Sequence, residues 1–201
     1  MAFSSLQYLN LSNNHIHGKI ENSLTNPISF LTLDLSSNHL HGKFHFLSNE
    51  VQWLDHSSNS FSSMNDFLCC KQFEKFNLFL LNLASNNLSG KIPDCWIKWS
   101  TLMDVNLQSN HFVGNMPSSM GSLVWLESLN IRNNSLSGIF SITLKRNNQL
   151  ISLDLGENNL SGTIPTWIGE RLLRLKILRL RSNNFSGYIP NEMCDIIFLQ
   201  V

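Results

Sequence analysis

Charge is scarce in this sequence, and neither sign dominates it. Charged residues make up 14% of the 201, against roughly a quarter in an average soluble domain, and 14 basic side chains balance 14 acidic ones. A neutral whole has no net field to recruit nucleic acid or an anionic membrane, so neither is expected as a partner. Long apolar runs are missing too. The densest cluster, Phe76 to Leu83, holds two asparagines and falls far short of the ~20 residues that cross a bilayer, so membrane contact by this segment is not expected. No basic region or apolar leader opens the chain after Met1, and no signal peptide is read there. Catalytic signatures are equally absent. Without H-E-x-x-H, a C-x-x-C pair, a Ser/His/Asp arrangement or a phosphate-cradling glycine loop, neither an enzyme nor a cofactor is expected.

What the sequence has instead is one phrase, L-x-x-L-x-L-x-x-N-x-L-x-G-x-I-P, written eight times. Its asparagines are Asn14, Asn38, Asn59, Asn86, Asn110, Asn134, Asn158 and Asn183, separated by 24, 21, 27, 24, 24, 24 and 25 residues. Five residues before each stands Leu9, Leu33, Leu54, Leu81, Val105, Leu129, Leu153 or Leu178. Glycine follows four residues after the asparagine in every copy but the third, where Ser63 replaces it. A period of this length predicts a solenoid, because one such unit cannot bury its leucines alone while a stack can. In L-x-L the leucines alternate with polar residues, so each repeat supplies one short strand of a parallel sheet. The asparagine falls where the strand ends, and its amide can satisfy backbone groups of its own turn and the next.

On these residues the chain resembles the plant-type leucine-rich repeat. The stretches from Leu81 to Trp96 and from Leu153 to Trp167 are similar to the extracellular domains of plant receptor-like proteins, in particular the group of receptors for ethylene-inducing fungal xylanase. The resemblance implies an α/β-type solenoid, a right-handed coil of about eight repeats with a concave parallel β-sheet and few regular helices. Residues 1–201 then form a single domain that starts and ends within a longer array. It also implies recognition of a peptide or protein ligand, with a co-receptor, on the extracellular side of the plasma membrane in defence signalling. Three alternatives stand beside it: part of a receptor-kinase ectodomain, a secreted inhibitor of wall-degrading enzymes, and a truncated product without function.

Ligand contacts on a concave sheet come from the side chains between and beside the leucines. One column of these reads Tyr8, Thr32, Trp53, Leu80, Asp104, Ser128, Ser152 and Ile177; the next reads Asn10, Asp34, Asp55, Asn82, Asn106, Asn130, Asp154 and Arg179. With Arg132 and Arg181, the hydrogen-bonding and aromatic members of these columns are the candidate ligand-binding residues. Arg171, Arg174, Lys176, Arg179 and Arg181 crowd the eighth repeat and predict a basic patch suited to a carboxylate.

Other features invite a function. His15, His17, His39 and His41 occupy matching places in consecutive repeats, but no carboxylate or cysteine recurs with them, and no metal site is expected. Cys69 or Cys70 lies about one coil step from Cys95, close enough for a disulfide. Asn10, Asn87, Asn133, Asn159 and Asn184 meet the N-x-S/T rule for N-glycosylation. The third copy breaks the pattern, because His56 takes an inward leucine position; an irregular loop over residues 57–78 is expected. At the ends, Leu6, Leu9 and Leu11 and Leu175, Leu178 and Leu180 lack a covering repeat, which predicts self-association of the isolated chain.

Overall fold

Eight strands of three residues each, one per repeat, line up in chain order as a single parallel sheet running from Tyr8–Asn10 to Ile177–Arg179 in a computed structural model. The structure describes residues 6–20, 31–44, 49–71 and 75–200. The register follows the repeat period residue for residue: Leu9 faces Leu33, Leu33 faces Leu54, and the pairing continues through Leu81, Val105, Leu129 and Leu153 to Leu178. These inward residues stack with Leu35, Leu83, Leu107, Ile131 and Leu155 into one continuous core, and from Leu81 to Leu155 they are fully buried. Depth is lost at the ends, where Leu11 is 37% exposed and Leu178 and Leu180 are half-buried.

After each strand the chain turns at a non-glycine residue with φ of 53–56°: Asn13, Ser37, Ser58, Ser85, Ser109, Asn133, Glu157 and Ser182. This left-handed conformation costs an ordinary residue about 1 kcal/mol or more, and the neighbouring asparagine offsets it. Asn158 Nδ2 donates to the Leu155 and Gly156 carbonyls of its own turn and to the Ile131 carbonyl of the previous one, while Oδ1 accepts the Leu136 amide. Asn38, Asn59, Asn86, Asn110, Asn134 and Asn183 repeat the inter-repeat bond. Asn14, in the first repeat, bonds the Leu11 and Ser12 carbonyls of its own turn.

A second row of short strands flanks the first and divides in two: three strands in repeats one to three, five in repeats four to eight. The outer segments are brief helical turns such as Ser118–Ser122 and Trp167–Arg171. They pack closely, and a Cβ added at Gly169 would lie 1.9 Å from the Glu192 carbonyl oxygen. No helix among the described residues is long and apolar enough to cross a membrane.

The third repeat departs from the loop expected over residues 57–78. Ser60–Ser63 forms a flanking strand, Asn65–Leu68 a helical turn, and Asn59 takes the same bonds as its counterparts. The missing glycine is absorbed by a register shift opposite Gly42 and Lys43, so Ser63 needs no positive φ. The shorter spacing is filled by aromatic packing: Phe44 lies against His56, Phe61 and Phe67, and Trp99 against Phe67 and Phe76. Cys69 is bonded to Cys95 with Cα atoms 5.3 Å apart, while Cys70 and Cys194 remain thiols.

Candidate recognition surface

Both columns read from the sequence are side-by-side rows on the exposed face of the first sheet. Tyr8 faces Thr32, which faces Trp53, and Leu80, Asp104, Ser128, Ser152 and Ile177 follow in register. The second row runs from Asn10 and Asp34 to Asp154 and Arg179 in the same way.

The second row has a structural occupation that the sequence reading did not assign to it. Its Oδ1 atoms accept the backbone N–H two residues ahead: Asn10, Asp34 and Asp55 hold Ser12, Ser36 and Ser57 at 2.9 Å, and Asn82, Asn106, Asn130 and Asp154 hold residues 84, 108, 132 and 156 at 3.1–3.2 Å. These are Asx-type turns, in which a short side chain replaces a backbone acceptor where the strand ends. The N-x-S and D-x-S triplets at residues 10–12, 34–36 and 55–57 carried that signal. Lateral bonds then tie neighbouring repeats: Asn10 Nδ2 to Asp34 Oδ2 (3.1 Å), Asn82 Nδ2 to Asp55 Oδ2 (2.8 Å) and Asn130 Nδ2 to Gln108 Oε1 (2.8 Å). What remains free for contact is the outer part of these groups and the first row.

The expected basic patch is partly neutralised by its neighbours. Arg132 and Arg181 both donate to Glu157 Oε1, at 2.6 and 3.0 Å, and Arg179 reaches Asp154 Oδ2 at 3.5 Å. The Arg132 hydrogen bond holds the Glu157 carboxyl below its ordinary range. Arg132, Arg179 and Arg181 thus share the carboxylates of the seventh repeat, while Arg171, Arg174 and Lys176 enter no ion pair among the described residues. Arg174 bonds Gln149, and a shallow pocket bordered by Ile151, Arg174, Lys176 and Phe198 lies at that end.

At the other end of the face the charge is negative. Asp34, Asp55 and Asp104 take part in no ion pair among the described residues. Burial pushes the Asp104 carboxyl up, partly opposed by the Ser128 hydroxyl. Beside them lie exposed Tyr8 and Trp53, together with Phe79 and Met103, which precede the first row and escaped the sequence reading because they fill unassigned positions of the phrase.

Of the other candidates, His15 stacks on His39 with ring centroids 5.8 Å apart, and no group of three or more potential metal ligands occurs among the described residues. The sequon asparagines Asn10, Asn87, Asn133, Asn159 and Asn184 are all exposed.

The same architecture appears in known proteins. The chain is 41% identical over 191 residues to receptor-like protein EIX2 of Solanum lycopersicum, an alignment covering 95% of this chain and 18% of that protein. The ectodomain of the Arabidopsis receptor kinase HAESA, solved with the peptide hormone IDA and the co-receptor SERK1, superposes with a TM-score of 0.86 at 32% identity, covering 98% of this chain and 33% of that one. The plant peptide hormone receptor RGFR1, in complex with RGF2, gives 0.87 at 29%, covering 98% and 31%. The chain thus spans less than half the length of each. The Leucine Rich Repeat model matches residues 5–27, 77–99, 125–147, 149–170 and 174–196, more than half of the sequence. With strand register, asparagine ladder and these matches in agreement, the chain belongs to the leucine-rich repeat family.

Proposed function

We propose that this chain is a recognition segment of a plant cell-surface receptor-like protein, presenting the exposed face of its eight-stranded sheet to a peptide or protein ligand in defence signalling. The observation that carries the reading is the division of labour on that face. Leucines, ladder asparagines and Asx oxygens recur in nearly every repeat, while Tyr8, Trp53, Phe79, Met103 and the charged positions vary from repeat to repeat. The 41% identity to a receptor-like protein, extending over nearly the whole chain, supports the assignment. Placement on the extracellular side of the plasma membrane follows from it, with N-glycans at the exposed Asn87, Asn133, Asn159 and Asn184. A receptor-kinase ectodomain is the second reading, favoured by the 32% identity to HAESA. Both place ligand and co-receptor on the same array.

Panning a random peptide library against the whole chain tests where recognition occurs without presupposing the ligand. Selected peptides are expected to lose affinity for Trp53→Ser and to keep it for Ile97→Ser, a 71% exposed residue in a helical turn outside the sheet. Binders indifferent to every substitution on the sheet would overturn the reading.

The partly uncovered leucines at the ends belong to the same picture, since an array segment presents stacking faces meant for further repeats. The purified chain is expected to sediment as dimers and larger species, and Leu11→Gln with Leu180→Gln to shift it toward monomer. A monomer at all concentrations would contradict this.

A further inference from the structure

The zero net charge of the chain conceals a polarised recognition face. In repeats one to five, the strands with their flanking residues (7–12, 31–36, 52–57, 79–84 and 103–108) contain three aspartates and no lysine or arginine. Asp34 and Asp55 are bonded by neutral amides and hydroxyls, so their charge persists; in repeats six to eight Glu157 and Asp154 answer the arginines. In repeats one to five the uncompensated charge is therefore negative, and it adjoins apolar surface. Trp53 is 48% exposed, Phe79 43% and Met103 39%. They are contiguous, because Trp53 faces Leu80 across the sheet and the Met103 amide donates to the Phe79 carbonyl at 2.9 Å.

The aspartates are not required by the turn. Asn10, Asn82, Asn106 and Asn130 close the same Asx turn in four other repeats, so an amide suffices for structure. What aspartate adds at residues 34 and 55 is charge, beside a second acceptor for the lateral bond from Asn10 or Asn82, two positions along the strands from Thr32 and Trp53 and on the same side of the sheet.

We infer that the face of repeats two to five binds a basic, apolar segment of a protein partner, with lysine or arginine side chains over Asp34, Asp55 and the Trp53 ring and aliphatic side chains against Phe79, Leu80 and Met103. An indole ring beside two carboxylates suits a cation twice over, through the ring face and through opposite charge. Three strand spacings, about 14 Å, match about four residues of extended chain, so a hexapeptide spans the face with about one residue over at each end. The inference rests on the sheet face being the recognition surface and adds the chemistry of what it takes.

The test uses the whole chain and three capped hexapeptides alternating leucine with arginine, leucine with glutamate, and serine with arginine, titrated by calorimetry. The leucine–arginine peptide is expected to bind about tenfold more tightly than either control. Asp34→Asn with Asp55→Asn, and separately Trp53→Ser, are expected to weaken it severalfold, with the double asparagine variant still folded by circular dichroism. Equal binding of the glutamate peptide, sensitive to Trp53→Ser, would overturn the charge assignment and leave recognition by the sheet standing. Hydrogen-exchange protection confined to the outer helical turns would overturn both. Undetectable binding of all three at about 1 mM, or binding indifferent to the double asparagine variant, would overturn the inference.

Discussion

The third and seventh repeats share one hydrogen-bonded turn and have very different interiors. In the seventh, Leu155 fills the inward position and Gly162 turns the chain with φ of 84°. In the third, His56 stands in the core with neither ring nitrogen hydrogen-bonded, and Ser63 replaces the glycine. Yet Ser58 and Glu157 share the left-handed turn at φ 54 and 55°, and Asn59 and Asn158 bridge to the preceding repeat at 2.9 and 3.0 Å. What defines a repeat here is the hydrogen-bonded turn; the side chains behind it are negotiable when neighbours can repack.

The strongest way to break that comparison is to remove the turn from both repeats. Asn59→Ala and Asn158→Ala each strand several backbone groups, and each should cost about 4 kcal/mol in urea unfolding. If Asn59→Ala proved nearly neutral, the third repeat would be held by its aromatic packing instead.

The disulfide is the device the third repeat has and the seventh lacks. It closes a separation of 26 residues between Cys69 and Cys95, and the double replacement by serine should lower stability by about 3 kcal/mol. Reductant should shift the midpoint of the parent and leave that of the double variant unmoved.

His56 gives a smaller and pH-dependent difference. Burial depresses its pKa from 6.5 to about 4, an effect only partly opposed by the Asp55 backbone and the Asp34 charge. The folded protein therefore keeps the imidazole neutral while the unfolded chain protonates it. Stability is fully present above pH 6.5 and falls as the pH drops toward 4. Between pH 7 and pH 5 the parent should lose about 2 kcal/mol more than His56→Leu. Parallel pH profiles for the two would mean that the ring is solvated in the folded state.

The arc and its two exposed rows were legible because a fixed period sets strand register: once Leu81 and Val105 are 24 residues apart, the residues on either side align as well. Three things were not. The Asx role of Asp34 and Asp55 lies in a local bond that hydropathy patterning ignores. The arginines of the eighth repeat looked unopposed because Asp154 and Glu157 sit 24–25 residues earlier and one coil away. The third repeat read as a loop because its spacing changed, although the change is taken up by a register shift and a helical turn.

The two outer ladders meet at that repeat. The inner sheet runs unbroken through all eight repeats, whereas the flanking strands stop at Ser60–Ser63 and begin again at Ser89–Lys91. There the Asn87 amide donates to the Phe61 carbonyl at 2.9 Å. The array is built like a leaf spring, with a continuous leaf along the inner sheet and a jointed one beside it, so a change of curvature concentrates between repeats three and four. The Cys69–Cys95 bond spans that joint and limits how far it can open, which keeps Trp53 and Leu80, one on each side of it, at a fixed spacing.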